Sequence, residues 1–376
     1  MKHIILNAIQ NSEENYITYE EFISLCLYHS DKGYYQKSDT KIGRKGDFYT
    51  TSSVGTVYGE VIASVFCRMI KNEVIDPTFV EVGAGNGRFA NSFLAYCQKN
   101  EPEIYADLEY KIVDESKYHR TLQKQILAQH TNVSYYANIS DLTKIQNGMI
   151  FSNELFDALP VRVVEFCQDK WQEVVITYNE SYELIEKFIE IENDLMFDFL
   201  KQQHFSGKHG QRVEIPVAME SMFKGLIEIL DHGIIMTVDY GFTREEWNAP
   251  HRVKGSLRGY YQHEMKTNVL EFLGDMDITT HIHWDELRRL AEINHLENFY
   301  YHSQRQALLD FGILNWLVQH AAMNPFSDEY KHNRAIQSLI MPGGISDSFQ
   351  MLLQIKGFSE TNKLKMKECL TINEYK

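Results

Sequence analysis

Residues 79–89, FVEVGAGNGRF, place glycine at 83, 85 and 87 directly after a short apolar run. Glycine at alternate positions lets a chain turn sharply and lets a ligand approach the backbone without Cβ clashes. Phosphate, a dinucleotide and S-adenosylmethionine are the ligands to weigh for such a loop. The Lys–Ser/Thr pair of a phosphate-cradling loop does not follow these glycines. A dinucleotide loop needs a third glycine three residues after Gly85, and Arg88 stands there. What remains is acid-x-Gly-x-Gly-x-Gly, with Glu81 two residues ahead of Gly83. A carboxylate beside a pyrophosphate would repel it. S-adenosylmethionine carries a sulfonium, an ammonium and a carboxylate instead. Glu81 can face the ammonium, directly or through water, while N–H groups of the following helix take the carboxylate. Asp114, near the end of YKIVDE (110–115), stands where an acid hydrogen-bonds ribose hydroxyls. In the plainer alternative, Glu81 and Asp114 are ordinary strand-end acids and the glycines serve helix packing. Three alternating glycines at a strand end weigh against that.

A second cluster lies in FSNELFDALPVR (151–162). Asn153, Glu154 and Asp157 offer two acids and an amide at the end of another strand. Such a set can hold a cationic or amine nucleophile, bidentate where it is a guanidinium, and can take its proton. The same residues also suit a helix N-terminus, with Asn153 as cap and the acids favoured by the helix dipole. The residues alone leave these two readings level. HIHWD (281–285) brings His281, His283 and Asp285 together. Without a HExxH motif or a Cys/His quartet no metal is assigned, and Asp285 is read as the cap of the helix after it. Asp239 and Tyr240 end an apolar strand, where Tyr240 either walls the acceptor pocket or packs as core.

These residues need a scaffold that brings strand ends together. TFVEV (78–82), YKIVDE (110–115), NVSYYA (132–137) and GMIFSNE (148–154) read as strands. NGRFANSFLAYCQK and KYHRTLQKQILAQH between them have helical periodicity. Alternation of this kind implies a parallel sheet with right-handed crossovers. Tyr19–Tyr28 and residues 55–72 read as helices, 161–179 as a hairpin turning at Gln168–Lys170, and the stretch to about 210 as polar and helix-rich. A helix at 216–231, the apolar strand GIIMTVDYG (233–241), mostly helical residues at 243–340 and a last strand MLLQIKG (351–357) complete the pattern. The expected fold is α/β: a Rossmann-like sheet in residues 73–376, with insertions at about 161–215 and 243–340 and an N-terminal extension at 1–72.

The chain of 376 residues is 44% hydrophobic and 24% charged, an ordinary globular balance, and carries a formal net charge of −15. No basic run marks it for nucleic acid. Five cysteines without a CxxC pair suggest reduced thiols. No apolar stretch approaches the roughly 20 residues of a membrane helix, and the N-terminus has neither signal- nor transit-peptide character. The expectation is a cytoplasmic protein that engages neither nucleic acid nor membrane.

GDFYT (46–50), the Gly83–Gly87 loop and NELFDALPVR (153–162) together resemble the MidA-type methyltransferases, whose mitochondrial members assist respiratory complex I assembly. LYHSDKGYY (27–35), RVEIP (212–216), VDYGF (238–242), GSLRGYYQH (255–263), DMDITTHI (275–282) and LIMPGG (339–344) fit in order, so the resemblance covers nearly the whole chain. Ser52–Ser53 replaces an expected Pro-Glu, and Gly-Ala-Gly at 83–85 a commoner Gly-Pro-Gly. The resemblance implies a class I fold dependent on S-adenosylmethionine. It implies cofactor contacts from Gly83, Gly85, Gly87 and Asp114, with Phe48 and Thr50 folding over the cofactor, and an acceptor side at Asn153, Glu154 and Asp157. Because the mitochondrial relatives are protein arginine methyltransferases, the implied acceptor is an arginine of a partner protein. A scaffold that binds the cofactor without turnover and a small-molecule methyltransferase are the competing functions.

Overall fold

The computed structural model describes residues 1–37, 56–319, 327–343 and 345–371. Phe48, Thr50 and the rest of GDFYT lie outside the described residues. Contacts divide the chain into two compact units. One draws on 49–155, 224–240 and 291–376, the other on 1–48, 156–223 and 241–290. The helix Val57–Lys71, which the sequence reading put in the extension 1–72, therefore groups with the sheet, and residues 1–37 group with the insertions.

The first unit holds a mostly parallel sheet. Its strands lie side by side in the order Glu297–Ser303, Phe349–Lys356, Gly233–Phe242, Gly148–Asn153, Thr78–Val82, Glu109–Val113, Val133–Tyr136. Pairing is parallel from Gly233–Phe242 through Val133–Tyr136, while the first two strands run antiparallel. This is the α/β class read from the sequence. The strand Thr78–Val82 sits mid-sheet because Phe79, Val80 and Val82 are apolar on both faces and buried. From it the chain works outward to Val133–Tyr136, then returns to Gly148–Asn153 on the other side. That reversal opens a crevice at the carboxyl ends of Thr78–Val82 and Gly148–Asn153, where ligands bind in open α/β sheets. Beneath it an aromatic core fixes the helices: Phe79 and Phe93 centroids are 4.3 Å apart, and Phe89 stacks on Phe151 at 4.5 Å.

The second unit is built on an antiparallel sheet in which Arg162–Cys167 lies between Arg212–Ile215 and Lys170–Tyr178, and Leu184–Glu190 forms an edge. The hairpin turns at Gln168 and Asp169, both with positive φ. The helices Lys2–Asn11 and Tyr19–Tyr28 pack Ile5, Ile9, Phe22 and Leu27 with Val163, Val174 and Ile176. Three readings need correction. Residues 180–210 hold the strand Leu184–Glu190 before a helix, Asp194–Gln202. LIEKFIE has apolar residues at 184, 185, 188 and 189, a helical spacing, and backbone pairing with Lys170–Tyr178 overrides it. Residues 243–340 include the strands Arg258–Tyr261, Glu264–Lys266, Asp277–Thr279 and Glu297–Ser303. The residues after the last strand, which the sequence pattern leaves as a polar tail, carry a helix, Glu360–Leu370, that buries Met366, Cys369 and Leu370.

RVEIP and GSLRG meet around one buried carboxyl. Glu214 accepts N–H bonds from Ser256 and Leu257 at 3.0–3.2 Å and the Ser256 hydroxyl at 3.1 Å. His283 Nε2 donates to the Glu214 carbonyl at 2.9 Å, and the ring stacks on Trp247 at 4.3 Å. Burial lowers His283 to about 3, so it is neutral packing. Asp285 lies inside the helix Trp284–Ile293, not at its cap. Among the described residues no trio of His, Cys, Asp or Glu is placed to hold a metal, and no helix is long and apolar enough to cross a bilayer.

Gly255 has φ +70°, and a Cβ there would stand 2.2 Å from Glu214 Oε1. Gly255→Ala should cost about 2 kcal/mol or more, from left-handed strain and loss of the Glu214 bonds. Urea midpoints check this, and an unchanged midpoint would show that the carboxyl does not depend on the turn.

Candidate active site

The glycine loop is held open by backbone and side chain together. Gly83, Gly85 and Gly87 take φ of +76°, +53° and +78°. A Cβ at Gly83 would lie 3.0 Å from Leu155 Cδ1, and one at Gly87 3.0 Å from Ile126 Cγ2. The loop therefore admits only glycine without rearrangement. Gly83 N–H donates to the Val113 carbonyl at 2.8 Å. Gly85 N–H donates to Asp114 Oδ2 at 3.0 Å. The helix Arg88–Asn100 starts after left-handed Gly87; Asn86 Oδ1 accepts the Arg88 N–H at 3.2 Å, and the rest of the first turn opens toward the loop.

Asp114 is buried and surrounded by donors. Besides Gly85 it accepts Ser116 N–H at 2.9 Å and Gln123 Nε2 at 2.9 Å, and His119 Nδ1 stands 3.5 Å away. Gln123 also donates to the Gly85 carbonyl at 2.8 Å. Its buried Oε1 has no partner among the described residues. Glu81 has the opposite surroundings. It is 4% exposed, on the sheet face that carries Phe79, with Phe151 as its register partner. Its Oε2 accepts the Tyr110 hydroxyl at 2.6 Å. Burial, reinforced by nearby Asp114 and partly offset by Tyr110, pushes Glu81 up to about 8.

Across the crevice, Asn153 ends its strand and Glu154 follows with φ +53°. No helix starts there; residues 156–159 form a turn, which removes the helix-cap reading of this segment. Glu154 N–H donates to the Val238 carbonyl at 2.9 Å, pinning a conformation that costs a non-glycine residue about 1–2 kcal/mol. Asn153 Nδ2 donates to Glu154 Oε1 at 2.9 Å, and buried Tyr58 donates to Asn153 Oδ1 at 3.1 Å. Burial, with Glu154 nearby, holds the Tyr58 hydroxyl well above its ordinary range. Asp157, grouped with these residues by sequence, belongs to the other unit, where it is buried and its carbonyl accepts Thr280 N–H at 2.9 Å. Tyr240 packs edge-on against Phe349 at 5.3 Å.

The sequence reading did not single out Tyr58, Tyr110 or Gln123. Tyr110 had a signal: it alternates with Ile112 and Asp114 along one strand, the face toward Glu81. Tyr58 and Gln123 had none: Tyr58 works through Asn153, 95 residues away, and Gln123 through Asp114 and through Gly85, 38 residues away.

Glu81 makes stability depend on pH. Its folded value of about 8 lies above the ordinary 4.5, so between these values the folded state holds more protons than the unfolded one. Stability therefore falls as pH rises from about 4.5 to 8, by up to about 5 kcal/mol if the full shift is expressed. Glu81→Gln should be more stable than wild type at pH 9, with the gap closing by pH 5. Parallel urea-midpoint curves for the two proteins would refute it.

The glycine cradle, the first turn opening toward it and the unpartnered Gln123 acceptor suit a ligand with a carboxylate and hydroxyls, as S-adenosylmethionine has. The comparisons agree. A solved structure from Burkholderia thailandensis, with S-adenosyl-homocysteine bound, superposes with a TM-score of 0.84 at 21% identity, covering 95% of this chain and 93% of that one. The protein arginine methyltransferase NDUFAF7 homolog of Drosophila melanogaster is 24% identical over 300 residues, 72% of this chain, and its Rattus norvegicus counterpart 24% over 305 residues, 73% of this chain. The match spans 66% of each relative's own length, just under two thirds. A family model for S-adenosyl-L-methionine-dependent methyltransferases matches residues 61–302, more than half of the chain. The chain thus belongs to the MidA-type family of S-adenosylmethionine-dependent methyltransferases, with S-adenosylmethionine as its cofactor.

Proposed function

We propose that this enzyme methylates a guanidinium nitrogen of an arginine in a partner protein. The observation that carries the reading is Glu154, a carboxylate held in left-handed backbone at the crevice and oriented by Asn153 and Tyr58. Backbone strain of this kind collects at functional sites. The names of the NDUFAF7 relatives supply the acceptor class. Gly83, Gly85, Gly87, Asp114 and Glu81 hold the cofactor, which supplies an electrophilic methyl group when bound. Glu154 accepts a guanidinium N–H and takes the proton that the nitrogen loses as it gains the methyl group. Positioning within about 3–3.5 Å accounts for most of the rate.

The test supplies S-adenosylmethionine labelled in its methyl group to the enzyme and a protein extract, then hydrolyses the product. Label in methylarginine is expected; label only in small molecules or in another amino acid would overturn the arginine reading. Glu154→Gln should bind S-adenosylhomocysteine as wild type does and lose turnover about 100-fold or more. Full turnover in that variant removes Glu154 from proton transfer. Gly85→Val should abolish cofactor binding in a calorimetric titration, and unchanged affinity would exclude the loop from the site.

A further inference from the structure

Glu81 is a carboxyl group with very little to keep it charged. Rings surround it on its face of the sheet: Phe79 on its own strand, Phe151 beside it, and Phe89 and Phe93 from the helix Arg88–Asn100, all buried. An ionised carboxylate has about four acceptor positions to satisfy, and among the described residues Glu81 has one donor, the Tyr110 hydroxyl at 2.6 Å. Among the described residues no lysine or arginine contributes to its electrostatics. Among the described residues the titratable groups that face it are Tyr110, on the neighbouring strand, and Asp114, just after that strand's end. Behind Tyr110 lies Cys97, from the helix Arg88–Asn100. Behind Asp114 lie His119 and Arg120, from the helix Lys117–Ile126. Asp114 adds negative charge. Tyr110 is itself fully buried and held far above its ordinary range, so it remains a hydroxyl donor.

The place of this acid in the chain matters as much as its surroundings. Glu81 stands two residues before Gly83, on the strand that feeds the glycine loop. It is the first polar side chain met beneath the loop. A cofactor whose amino-acid end lies along the loop brings an ammonium to this carboxyl.

We propose that the Glu81–Tyr110 pair selects the cofactor by its α-ammonium through proton exchange: Glu81 is a neutral carboxylic acid in the empty site and releases its proton to solvent as the ammonium arrives. The balance is simple. The acid O–H breaks, the proton leaves with buffer, and the carboxylate pairs with the ammonium while Tyr110 keeps its bond to Oε2. An opposite charge within about 4–6 Å favours the ionised carboxyl and so opposes the effect of burial. The direction of the Glu81 shift in the ligand-free protein agrees with the geometry. A ligand with the adenosine part and no ammonium gains nothing from this acid. The device therefore discriminates between whole cofactor and fragments, which loop and ribose contacts alone do not.

The inference rests on the cofactor lying along the Gly83–Gly87 loop, and the experiment separates the two. Calorimetric titration with S-adenosylhomocysteine at pH 6.5, in two buffers of different protonation enthalpy, counts protons exchanged per ligand bound. Wild type should release about one proton, and close to none at pH 9.5, where Glu81 is already ionised. Glu81→Gln, which keeps His119 and Asp114, should release none. Its affinity should stay constant between pH 6 and 8, while that of wild type rises toward tenfold per pH unit. Methylthioadenosine, which lacks the amino-acid end, should bind wild type without proton release. Zero release from wild type, equal release from Glu81→Gln, or equal release with methylthioadenosine would each overturn the proposal. Should Glu81→Gln fail to fold, Tyr110→Phe and the two-ligand comparison in wild type decide the same point. Binding that survives Gly85→Val would refute the loop placement instead, whatever the proton count.

Discussion

The grip of Asp114 on the glycine loop is the interaction on which the site depends. One carboxylate ties together Gly85 of the loop, Ser116 at the start of the next helix and Gln123 two turns further along it. Hydrogen bonds to a charged acceptor are worth about 1.5–3 kcal/mol each, and here they oppose the entropy of a segment with glycine at alternate positions. Without them a chain free to adopt either sign of φ would not keep Gly83, Gly85 and Gly87 all in the left-handed region. With them the loop is fixed in advance, and binding need not order it. Gln123 strengthens the same point by closing onto the Gly85 carbonyl.

Two carboxyls near this loop then have different fates for physical reasons. Asp114 lies among donors and suits a charged group that organises backbone. Glu81 lies among rings with a single hydroxyl and suits a neutral acid. The topology sets the difference. Glu81 points from the middle of the sheet into the face covered by aromatic helices, whereas Asp114 comes just after its strand, where backbone N–H groups are turning into a helix. Across the reversal point the third acid, Glu154, is placed by a left-handed kink and directed by Asn153 and Tyr58. Three acids at three strand ends thus sit in three environments.

The sheet was largely legible because its strands are short, apolar and separated by helices of clear period. The glycine loop, Asp114 and the Asn153–Glu154 corner were legible because strand ends in such a sheet converge. What could not be read depends on distant partners. Tyr58 matters through Asn153, 95 residues away. Leu184–Glu190 has a helical spacing of apolar residues and becomes a strand only because Lys170–Tyr178 offers it an edge. Asp157, three residues from Glu154, looked like part of the same cluster, and the chain passes into its second unit between them. Nearness in sequence is a weak guide where a strand end breaks into a turn.

The second unit shows why a motif in a methyltransferase need not be catalytic. HIHWD invites a metal reading from its residue types, and RVEIP and GSLRG carry the family resemblance. In the fold, Glu214 uses its carboxylate to close the turn at Gly255–Leu257 and its carbonyl to fix His283, while Ser256 accepts the His281 N–H at 2.9 Å. These bonds tie the set to itself, and the histidine between Trp247 and Glu214 is held neutral by burial. A buried carboxyl satisfied by three backbone and side-chain donors organises a turn; one left with a single hydroxyl beside a ligand loop, as Glu81 is, retains the capacity to respond to charge. That contrast separates structural from functional acids in this chain more reliably than residue type or spacing.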